Sequence, residues 1–150
     1  RLRRRFEIDM APDARLVACD LAILGRAAMG ETAPAVDWRD AWRLRRGGRL
    51  VWADATRLAG DAARLLAAPA TGGGARAFGA LVYAAPDAAD ALDALRGALA
   101  AAEGCEAAAT AFDGLVIARF IAHDGAAARA ALARALALLP HAAPPRSWST

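Results

Sequence analysis

Residues 1–10 alternate with a period of two. Arg1, Arg3, Arg5, Glu7 and Asp9 share one face, and Leu2, Phe6, Ile8 and Met10 share the other, where Arg4 is the exception. Such alternation predicts a half-buried strand. Ala11 to Ala14, with Pro12 and Asp13 between them, read as a turn. Residues 16–24 (LVACDLAIL) are apolar everywhere but at Asp20, which predicts a strand covered on both faces and placed in the middle of a layered sheet structure. Residues 36–46 and 49–55 form a predicted hairpin closed by Gly47-Gly48, a pair suited to a two-residue type I′ turn. A regular ladder from that turn sets Leu44 opposite Val51 and Trp42 opposite Ala53 on one side. On the other it sets Arg45 opposite Leu50 and Arg43 opposite Trp52, a cation–π pairing, with Asp54 diagonal to Arg43.

The next segment is less regular. Leu58, Ala62 and Leu65 have helical spacing, but Gly60 interrupts it and Pro69 ends it. From residue 76 the order is strand, helix, strand, strand, helix. Residues 76–84 are an apolar strand, and Pro86 opens a helix with a buried stripe of Ala88, Leu92, Leu95 and Leu99. Strands 105–112 and 115–122 flank Asp113-Gly114, a strong hairpin turn. Asp124 caps a last helix over 125–139 with Ala128, Leu132, Leu136 and Leu139 inward, and Pro140 stops it. Without an internal repeat or a shift in composition, the pattern predicts one α+β domain over 1–150, dominated by strands, with two helices towards the C-terminus.

Composition narrows the functional classes. At 150 residues and 57% apolar the chain can bury a proper core. No apolar run approaches the ~18 residues of a membrane span, and no signal peptide is visible. The chain opens on Arg1 in mid-strand, which raises the expectation of a missing N-terminal part. Cys19 and Cys105 are too few for a disulfide framework and lack zinc spacing, so both are expected as core thiols in a reducing, cytoplasmic compartment. All nineteen basic residues are arginines, and the first sixty residues hold twelve of them against eight acids. Arginine favours bidentate carboxylate pairing. The arginines lie along strands with no nucleic-acid motif around them, which points to a solvated face or an acidic protein partner.

Catalytic chemistry finds little to build on. Ser147 and Ser149 lie in the tail, and His123 and His141 are isolated, so neither a serine triad nor a histidine metal cage can be assembled. Thr71-Gly72-Gly73-Gly74 lacks the Lys-Ser/Thr of a phosphate-binding loop, so no nucleotide is expected there. The carboxylates are more informative. Asp20 interrupts an apolar strand, Glu31 follows a bend framed by Gly25 and Gly30, and Asp54 lies in the hairpin. A carboxylate in such surroundings needs a guanidinium, backbone N–H groups or a cation. In the paired reading Asp20 meets Arg26 or another arginine, and Glu31 bonds the backbone N–H groups of its own turn.

The run LGRAAMGE (Leu24–Glu31) resembles the signature of the UreD (UreH) family of urease accessory proteins, with Gly25, Arg26, Met29, Gly30 and Glu31 carrying the motif. The likeness continues through DMAPDARLV (Asp9–Val17), the segment Trp38–Trp52 and the terminal PRSWST (Pro145–Thr150), in the family's order. The family protein is longer, and this chain resembles its C-terminal portion. The resemblance implies β-helix-like layers of sheet with two helices towards the C-terminus, and a non-catalytic scaffold for urease maturation. Its implied partners are UreF, the GTPase UreG through UreF, and apo-urease, with a homodimer within the complex as a further possibility and no nucleic acid or membrane. Its implied cargo is a nickel ion, bound transiently and passed to apo-urease. Carboxylates suit that, because oxygen ligands release a divalent ion that a Cys/His cage would hold; Asp20 and Glu31 come first, Asp54 third. Arg146 and Trp148 in the tail suit either a partner interface or docking onto the same chain. The rival expectation is a generic β-rich interaction module with no metal role, in which those carboxylates are paired.

Overall fold

A computed structural model describes residues 1–25, 35–140, 142 and 148. Among these residues it is an α+β chain dominated by strands, with two sheets and two of three helices towards the C-terminus. Its contacts divide it into two compact units. The first holds residues 1–14 and 24–74, the second 15–23 and 75–150.

The first unit is a three-stranded sheet of β1 (Leu2–Met10), β3 (Ala35–Arg46) and β4 (Arg49–Asp61), in the order β1-β3-β4. β1 runs parallel to β3, and β3 runs antiparallel to β4. Gly47 and Gly48 close the hairpin at φ +55° and +79°, the doubly left-handed geometry of a type I′ turn. The Gly47 N–H donates to the Met10 carbonyl at 2.9 Å, which ties the hairpin tip to the end of β1.

The ladder departs from regularity two residues beyond the turn. Arg45 pairs with Leu50 as expected, but Leu44 then pairs with Trp52, so Val51 is an extra residue in β4. This bulge reverses the parity of everything after it. Trp42 faces Asp54 rather than Ala53, and Arg43 faces Ala53 rather than Trp52. The expected Arg43–Trp52 contact is therefore replaced. Trp52 joins Trp38, Trp42 and Leu44 on one face, all four buried. Phe6 stacks on Trp42 at 4.2 Å between ring centroids, and Trp42 meets Trp52 at 5.8 Å. Burying three indoles rather than an arginine is the physical reason for the extra residue.

β4 also runs further than the helical spacing of Leu58, Ala62 and Leu65 suggested. It continues to Asp61, and only Ala62–Leu66 is helical (α1), with the Asp61 side chain accepting from the Arg64 N–H. In the glycine loop that follows, the N–H groups of Thr71, Gly72 and Gly73 donate to the Ala68 carbonyl and that of Gly74 to Leu66. The loop's donors are thus turned onto its own chain.

The second unit is an antiparallel sheet of β2 (Leu16–Ile23), β5 (Ala77–Ala84), β6 (Cys105–Phe112) and β7 (Leu115–Ala122), in the order β2-β5-β7-β6. α2 (Leu92–Ala100), entered through a 3-10 turn at Ala88–Ala91, and α3 (Gly125–Ala137) bury Leu95, Leu99, Leu132 and Leu136 against Leu81, Tyr83, Val116 and Phe120. Asp124 caps α3 by accepting from the Ala126 and Ala127 N–H groups, both at 2.8 Å. Asp113 and Gly114, both at positive φ, make the β6–β7 turn.

β2 corrects an expectation. Expected to be covered on both faces, it is instead half-buried along its length and exposed at Ile23, at the edge of its sheet. Its uninterrupted apolar run has two uses. Val17, Cys19 and Leu21 pack against the helix-bearing core, and the residues between them occupy the other face. Gly79 on β5 marks how closely β2 approaches: a Cβ there would lie 2.3 Å from the Asp20 carbonyl oxygen.

Candidate functional site

Three carboxylates stood out in the sequence, and the structure describes two of them in different units. Asp20 lies on β2, in register with Ala80 of β5 and, one strand further, Arg119 of β7. Alternation puts it on the sheet face away from Cys19, Leu21 and the helices. It is half-buried. Its charge contributes, after burial itself, to raising the Cys19 thiol above its ordinary range. Cys105 is raised too, chiefly by burial. Both thiols are free, and Cys105 is a core residue as expected, whereas Cys19 is half-buried.

Asp54 lies on β4 opposite Trp42, half-buried on the tryptophan face. The bulge put it there, away from Arg43. Glu31, with Arg26, Met29 and Gly30 of the motif, lies outside the described residues, as does Arg146. Gly25, the first motif glycine, is at φ +70°, in the left-handed region. Trp148 is half-buried beside the core of the second unit, with the Arg129 guanidinium of α3 5.9 Å from its ring centroid. The tail tryptophan is thus docked on its own chain.

The carboxylate that sequence reasoning missed is Asp40. It is 8% exposed, the one charged residue in the core among the described residues. Arg4 Nη2 donates to its Oδ2 at 3.1 Å. The Arg4 guanidinium also lies over Phe6 at 5.4 Å and Trp38 at 5.6 Å, so it is held between two rings and a carboxylate. Oδ1 of Asp40 has no hydrogen-bond partner among the described residues. A signal was available: Trp38, Asp40 and Trp42 share parity, and Arg4 breaks the apolar face of β1, so each flags the other.

A second charged pair braces the other unit. Arg15 donates to both carboxylate oxygens of Asp87, at 2.6 and 2.8 Å, and to the Tyr83 hydroxyl at 3.1 Å. The Arg15 hydrogen bonds hold the Asp87 carboxyl below the usual carboxylate range. Among the described residues, no three His, Cys, Asp or Glu side chains are grouped as a metal site, and no helix is long and apolar enough to cross a membrane.

Fold and polar side chains together define a strand-dominated α+β protein whose described charges are organised as ion pairs and arginine rows on sheet surfaces. The comparisons make this specific. The family model described as "UreD urease accessory protein" matches residues 1–149, and the chain belongs to that family. The chain is 49% identical to the urease accessory protein UreD of Methylobacterium sp. (strain 4-46), over all of this chain and 55% of that protein. It is 48% identical to UreD 2 of Methylorubrum populi, over all of this chain and 51% of that one. It is 44% identical to UreD of Xanthobacter autotrophicus, over all of this chain and 52% of that one. The chain spans about half the length of the curated relatives it matches.

Proposed function

We propose that the chain is the C-terminal portion of a non-catalytic urease maturation scaffold acting in the cytoplasm. The observation that carries this is family membership across residues 1–149. In this reading the protein works as a chaperone with UreF and, through UreF, the GTPase UreG, and presents the assembly to apo-urease for GTP-dependent nickel insertion. Nucleotide hydrolysis belongs to the GTPase partner. The glycine loop of this chain supports that division, since its N–H groups are engaged by Ala68 and Leu66.

Nickel is cargo here, not a resident cofactor. Asp20, Glu31 and Asp54 are the oxygen ligands proposed to hold it briefly. Weak oxygen coordination permits release, where thiolate or imidazole ligation would retain a late first-row metal. The rival is a generic β-rich interaction module with no metal role, in which those three carboxylates are paired, as Asp40, a different carboxylate, is with Arg4.

Nickel-dependent urease activation in cells expressing the full-length protein separates the two. Asp20→Ala and Glu31→Ala, each checked for folding by circular dichroism, are expected to lower activation while co-purification with UreF, UreG and apo-urease persists. Unchanged activation removes the metal role and leaves the scaffold. Failure to co-purify with any of the three, in the wild type, removes the scaffold itself.

A further inference from the structure

The face of the three-stranded sheet opposite the tryptophans carries a row of arginines. Arg3 of β1, Arg39 of β3 and Arg57 of β4 are in direct register, and all three are exposed. With strands about 4.8 Å apart, three guanidinium groups start from a line of roughly 10 Å. Like charges set directly opposite one another destabilise a sheet unless something neutralises them. Counter-charge is sparse: Arg39 Nε is 3.8 Å from Asp37, Arg5 of the adjoining row is 3.7 Å from Glu7, and among the described residues Arg3 and Arg57 form no ion pair.

The next row is Arg5, Ala41 and Ala55. Two adjacent alanines beside a line of long side chains leave a depression. A recess of about 420 Å³ lies there, its lining including Arg3, Arg5, Arg39 and Arg57 with Ala41 and Ala55, together with the Arg4–Asp40 pair of the row between.

We propose that this recess docks an acidic segment of a partner protein, one presenting two or three clustered Asp or Glu side chains. Guanidinium forks match carboxylates bidentately, and four of them converge here. The cationic stretch is short. Asp37 borders it on one side; on the other the next rows set Glu7 against Arg43 and Asp9 against Arg45, so both signs of charge alternate there and the rows without an acid span about 7 Å along the strands. That length fits side-chain carboxylates two positions apart on an extended peptide and is too short to track a phosphate backbone. Phe6, Trp38, Trp42 and Trp52 all belong to the opposite face, so no ring is offered to a nucleobase. The proposal rests on this charge pattern alone and is independent of any role in nickel transfer.

The test is fluorescence anisotropy with a fluorescein-labelled hexaglutamate peptide and, in parallel, a labelled thymidine hexanucleotide. Arg57→Gln is compared with Arg64→Gln, which removes the same charge from the exposed side of α1. Circular dichroism and tryptophan emission verify that both variants are folded. The expected result is peptide binding that weakens as salt rises, falls about tenfold in Arg57→Gln and stays within about twofold of wild type in Arg64→Gln. Equal losses in the two variants would reduce the effect to net charge and overturn the proposal. So would no peptide binding at low salt, or tighter binding of the hexanucleotide.

Discussion

Replacing Arg4 by Met strands the Asp40 carboxylate among tryptophans. The pair is close, with N and O 3.1 Å apart, and asymmetric, Asp40 being 8% exposed and Arg4 26%. Removing one partner of a fully buried ion pair costs about 3–5 kcal/mol, because the remaining charge keeps its desolvation penalty and loses its compensation. Water reaching the quarter-exposed guanidinium lowers that to roughly 2–3 kcal/mol. Loss of the ring contacts to Phe6 and Trp38 adds about 1 kcal/mol. A total of about 3–4 kcal/mol corresponds to a urea midpoint shift of roughly 1.5–2 M at a slope of about 2 kcal/mol/M. Trp38, Trp42 and Trp52 report directly on this sheet, so tryptophan emission during urea unfolding is the assay. The companion double variant, Arg4→Met with Asp40→Leu, is expected to return to within about 1 kcal/mol of wild type, since it removes both charges together. A loss under about 1 kcal/mol in Arg4→Met refutes the assignment of the pair as buried and compensating. A double variant as unstable as the single one refutes it too.

Two further outcomes are expected. Gly79→Ala forces a Cβ to 2.3 Å from the Asp20 carbonyl oxygen, a backbone atom that cannot swing aside, so it should destabilise the second unit by about 1–3 kcal/mol; an unchanged melting temperature would contradict the close β2–β5 approach. Asp87, whose folded pKa is depressed by Arg15, contributes stability that is present above the unfolded carboxylate value of about 3.9 and is lost as pH falls through the folded value; Asp87→Asn should flatten that acid limb, and parallel acid titration curves for wild type and variant would remove the contribution.

Much of the architecture was legible because local signals agreed with one another. The alternation of residues 1–10, the Asp113-Gly114 turn, the Asp124 cap and the leucine stripes of the two later helices all recur as elements. Two misreadings share a cause, which is that periodicity reports how many faces are covered and not what covers them. The apolar run of β2 suggested a strand covered on both faces, yet it is half-buried along its length and lies at the edge of its sheet. The β3–β4 hairpin has the expected turn and first pairs, but periodicity from the turn carries no sign of an extra residue at Val51, which only the packing of Trp52 demands. The charged residues divide in the same way. Asp20 and Asp54 drew attention by breaking apolar surroundings, while Asp40, flanked in sequence by Arg39 and Ala41, drew none although its parity matched the tryptophans. The arginine row was visible only as an excess of positive charge, because register across β1, β3 and β4 is a tertiary property.

The single surplus residue at Val51 has a reach beyond its own position. Trp52, Asp54, Thr56 and Leu58 share a side with Trp38 and Trp42 only because that one peptide unit resets the frame of β4 relative to its neighbour. Were the same residues paired without the bulge, Val51 would meet Leu44 and the whole segment would turn over, sending an indole to solvent and drawing Arg57 inward. Neither the indole nor the arginine row could then remain where it is, so one backbone irregularity fixes the identity of both surfaces at once.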